Sequence, residues 1–188
     1  MSSGTVSVRY AKALLQYAEE QGCQAEVYDR MLQLTACIRQ LPDIMGRLND
    51  PTVGIEDKGR FLAAAVADCD GRSACAPLQD FLKLVVRKGR AEALPFIASS
   101  YRNLYRDRYG IVPVELVTAT SVNDTQRTEL KKFIGDKTNR TVEWSERVDS
   151  KLMGGFVLQV DDYRLDASVA RRLRIIEKEL IEKNSRII

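Results

Sequence analysis

Apolar residues recur at helical spacing up to Tyr109-Gly110, and at a spacing of two through much of the remaining chain. Val8, Ala11, Leu15 and Ala18 form one stripe of a first helix that ends by Gly22. A second helix, about 25–40, aligns Val27, Met31, Leu34, Ile38 and Leu41 and is stopped by Pro42. A short helical turn over 43–48 precedes a fourth helix at 55–67, with Phe61, Leu62, Ala65 and Val66 apolar. The loop 70–73 leads to a fifth helix at 76–88, with Pro77 in its first turn. A sixth begins near 91–95 and sets Leu94, Ile97, Ala98, Tyr101, Leu104 and Tyr105 on one face. Brief connections between short helices predict an all-α six-helix bundle over residues 1–109.

From Gly110 onward the pattern predicts a small α/β domain, a mixed sheet with two helices, over 110–188. Val112, Val114 and Leu116 alternate in a strand at 111–119. A helix capped by Asn123 or Asp124 comes next and is expected to bury Leu130, Phe133 and Ile134. Val142, Trp144 and Val148 alternate with polar neighbours. Phe156, Leu158 and Val160 run through Asp161-Asp162 to Tyr163 and Leu165, the pattern of a hairpin. The last helix, about 168–184, is capped by Asp166 and Ser168. Its apolar seam of Val169, Leu173, Ile176 and Leu180 has the 4-3-4 spacing of a packing stripe. That seam is expected to lie on a sheet formed by Val114, Trp144, Phe156 and Leu158.

Two helices are apolar over too wide an arc. In the first, Val6, Tyr10, Ala11, Ala13, Leu14, Leu15, Tyr17, Ala18 and Val8 spread over roughly 220°, where packing on one side needs little more than ~100°. In the fifth, Leu78, Phe81, Leu82, Leu84, Val85 and Val86 cover about 200°. Such helices lie deep in the bundle or present a second apolar face. The second case predicts a groove for an amphipathic helix of another chain, represented by Tyr10, Ala13, Leu14, Tyr17, Leu78, Phe81, Leu82 and Val85.

Composition then narrows the function. The 188 residues include 11 Gly and 5 Pro, about 9% together where about 12% is usual, which suits a helix-rich chain. The net charge is +3 and both halves are nearly neutral, so neither carries the basic field that drives nucleic-acid binding. Histidine is absent, which excludes every mechanism that needs imidazole. No phosphate loop, dinucleotide fingerprint or nucleophile elbow occurs. Cys23, Cys37, Cys69 and Cys75 include no Cys-x-x-Cys pair, and a structural role with free thiols is expected. Cys69 and Cys75 bracket the Gly71 loop and could approach each other. No signal peptide or membrane span is read. Gly154-Gly155 reads as close backbone packing. Arg171, Arg172 and Arg174, with Glu177, Glu179 and Glu182 further along, read as a solvated face or a rim for an acidic partner. The sum is a binding protein, with no catalytic residue, cofactor or metal.

Three stretches carry a family resemblance: Arg9-Tyr10-Ala11-Lys12-Ala13-Leu14-Leu15, Lys88-Gly89-Arg90 with Ala93-Leu94-Pro95, and Leu152-Met153-Gly154-Gly155-Phe156 with Leu165-Asp166-Ala167-Ser168-Val169 and Arg172-Leu173. In order and spacing the chain resembles the delta subunit family of bacterial F-type ATP synthase, relatives of the oligomycin-sensitivity-conferring protein. Ala167 stands where the family usually has Gly. The resemblance implies a peripheral-stalk protein on the cytoplasmic face of the bacterial plasma membrane, a monomer within a hetero-oligomer and not inserted in the membrane. It implies that the bundle binds N-terminal helices of alpha subunits. It further implies that the second domain grips the C-terminal helices of b subunits, with Arg171, Arg172, Arg174, Ile175, Gly154 and Gly155 as the expected contact. The alternative is a nucleic-acid-binding or other helical adaptor.

Overall fold

The computed structural model describes residues 3–40, 43–50, 52–65 and 74–185. Among them are eight α-helices, one 3-10 turn and four strands, arranged in two compact units, Met1–Tyr109 and Gly110–Ile188. Leu41, Pro42, Val66, Cys69 and the 70–73 loop lie outside the described residues.

The first unit holds α1 (Ser3–Glu20), α2 (Gln24–Gln40), α3 (Asp43–Asn49), α4 (Ile55–Ala65), α5 (Ala76–Arg87), the 3-10 turn Ala91–Ala93 and α6 (Leu94–Tyr109). Helix ends obey local chemistry. After α1 the left-handed Gly22 lets Gly22 N–H donate to Glu19 O and Cys23 N–H to Ala18 O. Gly89 does the same after α5, with Gly89 N–H on Val86 O and Arg90 N–H on Val85 O. Both satisfy carbonyls that a helix end leaves open. Ala11, Ala18 and Ala98 are fully buried and let helices approach closely around Leu14, Met31, Leu34, Leu62, Leu78, Leu94 and Ile97. Tyr101 is also fully buried; its hydroxyl donates to Gln24 O at 3.2 Å, and burial pushes its phenol well above the ordinary value. Tyr28 stacks on Tyr105 at 4.4 Å, and Arg106 Nε donates to the Tyr28 hydroxyl at 2.9 Å.

The second unit is a four-stranded mixed sheet in the order β2-β1-β3-β4, made by β1 (Ile111–Thr118), β2 (Thr141–Val148), β3 (Phe156–Val160) and β4 (Tyr163–Asp166). β1 and β2 are parallel, so α7 (Asp124–Thr138) must carry the chain between them, whereas β1–β3 and β3–β4 are antiparallel. Asn123 caps α7 by accepting from Thr125 N–H at 3.3 Å, and left-handed Asn139 closes it. Val112, Val114 and Ile134 form the small core, backed by Val142, Trp144, Leu158 and Val160.

Two expectations are corrected. Phe133 does not join Leu130 and Ile134 against the sheet; it is 60% exposed, because Ile134 takes the inward position of α7. The seam of α8 (Val169–Ser185) does not pack on the sheet either: Leu173 and Ile176 are 54% and 52% exposed, and every described side chain from Arg171 to Lys178 is exposed. The side chain of Leu180 lies outside the described residues. The small core of Val112 and Val114 is closed by Ile134 of α7, and no described side chain of α8 joins it.

Candidate docking surfaces

Helix α1 resolves its over-wide apolar arc into two stripes. Ser7, Ala11, Leu14, Leu15 and Ala18 face the core. About 100° away on the wheel, Val6 and Tyr10 are half-buried while Ala13 and Tyr17 are exposed. Against this strip stands α5, where Tyr10 meets Phe81 edge to face at 6.1 Å and 71°. Arg90 Nη1 donates to the Tyr10 hydroxyl at 3.0 Å, fixing the ring. Leu84, 45% exposed, continues the strip on α5.

The expected eight-residue groove therefore needs correction. Leu14, Leu78, Phe81, Leu82 and Val85 are buried in the core of the free protein, leaving Tyr10, Ala13 and Tyr17 on the surface. An angular projection gives the width of an apolar face, but not which edge neighbouring helices cover. Val6 and Leu84 lay in the projected arcs and belong to the exposed strip.

A second apolar surface shares only Leu82 with the expected groove. Between α4 and α5 lies an open groove of about 500 Å³, floored by Ile55, Gly59, Ala63, Leu82 and Val86, with Arg60, Lys83 and Arg87 along its rim. The repeat Ile55, Gly59, Ala63 has a period of four and was legible as a stripe. Only the pairing of α4 with α5 makes it a groove.

In the second unit, Gly155 has φ +79°, and a Cβ there would lie 2.3 Å from Ala167 O. Gly154 O accepts from Val169 N–H at 3.0 Å. The glycine pair thus serves close backbone packing beneath the start of α8. Asp166 Oδ1 accepts from Ser168 N–H at 3.0 Å, and Ser168 Oγ accepts from Arg171 N–H at 3.3 Å, so the expected cap is formed. The bonds from Ser168 hold the Asp166 carboxyl below its ordinary value.

Arg171, Arg172, Arg174 and Ile175 are all exposed. Arg171 and Arg174 border a depression of about 480 Å³ together with Lys151, Arg164, Asp149 and Asp166, a predominantly cationic setting. Arg172 does not line it. On the sheet face beside α7, Leu116, Leu130, Phe133, Phe156 and Leu158 line an apolar trough of about 530 Å³. Phe156, expected under α8, instead opens onto this trough because α8 does not cover it. Among the described residues no three His, Cys, Asp or Glu side chains converge as a metal site would need. No described helix is long and apolar enough to cross a membrane.

Exposed apolar strips and a cationic depression thus lie on the surface of well-packed elements. The chain belongs to the ATP synthase delta (OSCP) subunit family, whose model matches residues 6–180. It is 34% identical to ATP synthase subunit delta of Phocaeicola vulgatus over the whole of both chains. It is 37% identical to that of Parabacteroides distasonis, over 97% of this chain and 99% of the other. A chain of the Toxoplasma gondii mitochondrial ATP synthase hexamer shares the fold, with a TM-score of 0.67 at 19% identity, covering 93% of this chain and 97% of that one.

Proposed function

We propose that this chain is the non-catalytic peripheral-stalk subunit of an F-type ATP synthase, holding the catalytic head still against rotor torque during ion-coupled ATP synthesis. Its first unit takes the N-terminal helices of alpha subunits, and its second takes the C-terminal helices of b subunits. The protein is peripheral on the cytoplasmic face of the bacterial plasma membrane, carried there by the complex, and uses no cofactor. Family membership along nearly the whole chain supports the assignment. The observation that carries the docking reading is the divided arc of α1, whose outer strip of Val6, Tyr10, Ala13 and Tyr17 is left for a partner.

The test is titration of an N-terminal peptide from an alpha subunit into the full chain and two variants. Ala13→Glu places a charge on the outer strip and should weaken binding at least tenfold with the fold intact. Gly59→Leu fills the α4–α5 groove. A Cβ at Gly59 meets nothing within 4 Å, and leaving glycine favours the helix by up to about 1 kcal/mol. Gly59→Leu should bind the peptide as the unaltered chain does. Loss of binding in Gly59→Leu alone would move the alpha-subunit site to the α4–α5 groove.

A further inference from the structure

The two helix starts that meet on one side of the first unit each carry a cysteine. Cys23 immediately precedes α2 and Cys75 immediately precedes α5. Their carbonyls open those helices, Val27 N–H donating to Cys23 O and Gln79 N–H to Cys75 O. The Cys23 thiol hydrogen-bonds to Cys75, although 52 positions separate them in sequence. Both are free, half-buried and packed against the core, with Cys75 N–H also donating to Glu26 Oε1 at 3.1 Å. Cys37 is a third free thiol, on α2. The sequence placed Cys69 and Cys75 where they could approach each other, but Cys69 lies outside the described residues.

We propose that Cys23 and Cys75 are a dithiol modification site that closes to a disulfide by exchange with a low-molecular-weight disulfide. The Cys75 thiolate attacks one sulfur of the small disulfide, forming a mixed disulfide and releasing one small thiolate. Cys23 then loses its proton and attacks Cys75 Sγ, expelling the second small thiol. Two protein thiols and one small disulfide thus become one protein disulfide and two small thiols, so two electrons pass to the reagent and no other oxidant is needed.

The setting favours this order. Cys75 stands at the start of a 12-residue helix, where its side chain caps no backbone N–H. Burial first, then Cys75 and Glu26, push the Cys23 thiol up to about 12, so Cys23 holds its proton until the mixed disulfide is in place. The product would tie the α1–α2 junction to the start of α5. Because α1 and α5 bear the outer strip, it would also fix the spacing of the proposed alpha-subunit site. That consequence rests on the proposed function, whereas the disulfide itself does not.

The experiment incubates the reduced, folded full chain with oxidised glutathione, alkylates the remaining thiols and maps the linked peptides. A Cys23–Cys75 peptide should dominate, with Cys37 alkylated. The oxidised chain should melt at least about 5 °C higher than the reduced one, as closure of a loop of about 50 residues implies. Cys75→Ser and Cys23→Ser, treated identically, should show no such rise. Should either variant fold poorly, the peptide map of the unaltered chain decides alone. A Cys69–Cys75 link, single glutathione adducts that never resolve, or linkage only after denaturation would each overturn the proposal, whatever the outcome of the peptide titration.

Discussion

Replacing Phe81 by alanine separates a core role from a docking role. The ring is 7% exposed and reaches from α5 to Tyr10 of α1 in a T-shaped contact. Truncating a phenylalanine in such a place costs about 3–5 kcal/mol through lost transfer energy and the cavity left behind. The lost aromatic contact is part of that figure. For a unit of this size, each kcal/mol shifts the midpoint by roughly 4–8 °C, so thermal unfolding followed by helical circular dichroism should fall by more than about 12 °C. So little of the ring reaches solvent that affinity for an alpha-subunit peptide, corrected for the folded fraction, should change less than about threefold. Tyr17→Ala should behave in the opposite way. That ring is 39% exposed, so the midpoint should move by only a few degrees while the partner loses contact worth about 1–2 kcal/mol, or 5- to 30-fold in affinity. Phe81→Ala with an unchanged midpoint and abolished binding would refute the core assignment and restore the ring to the groove.

Glu146 accepts from Arg127 Nη2 at 2.9 Å and from Trp144 Nε1 at 2.6 Å, and these bonds, Arg127 first, bring its carboxyl to about 2. Its folded value lies below the unfolded one, so its contribution is complete above about pH 4.5 and is lost as the pH falls toward 2; urea midpoints monitored by fluorescence of Trp144, the sole tryptophan, should fall across that window, and less steeply in Glu146→Gln. Gly155→Ala brings a Cβ within 2.3 Å of Ala167 O at φ +79°, and should destabilise the second unit by more than about 2 kcal/mol, read from the same fluorescence. Replacing Arg171, Arg172 and Arg174 by alanine should leave the chain folded and slow its association with a fragment holding the C-terminal helix of a b subunit, with a shallower salt dependence in stopped-flow traces; unchanged association at low salt would exclude these side chains.

Local order was readable in the chain because each signal acts over a few residues. Helical spacing, Pro77 in a first turn, the Asn123 and Asp166–Ser168 caps and the Asp161-Asp162 turn all act within one turn of backbone, and the structure holds each of them. The crowding at Gly154-Gly155 was also foreseen, since two glycines entering a strand signal close backbone approach. What the chain could not declare was which apolar surface meets which. Alternation in β2 does not show that it runs parallel to β1, because pairing direction depends on the path of α7. The 4-3-4 seam of α8 announced an apolar stripe, yet α7 closes the core of the sheet and the described part of that seam stays exposed, while Phe156 opens onto a trough. The wide arc of α1 was visible, but only the packing of its neighbours divides it into a buried and an open stripe. Cys23 and Cys75 meet for the same reason: contact across 52 positions is set by where helices stop and cross, which no local pattern encodes.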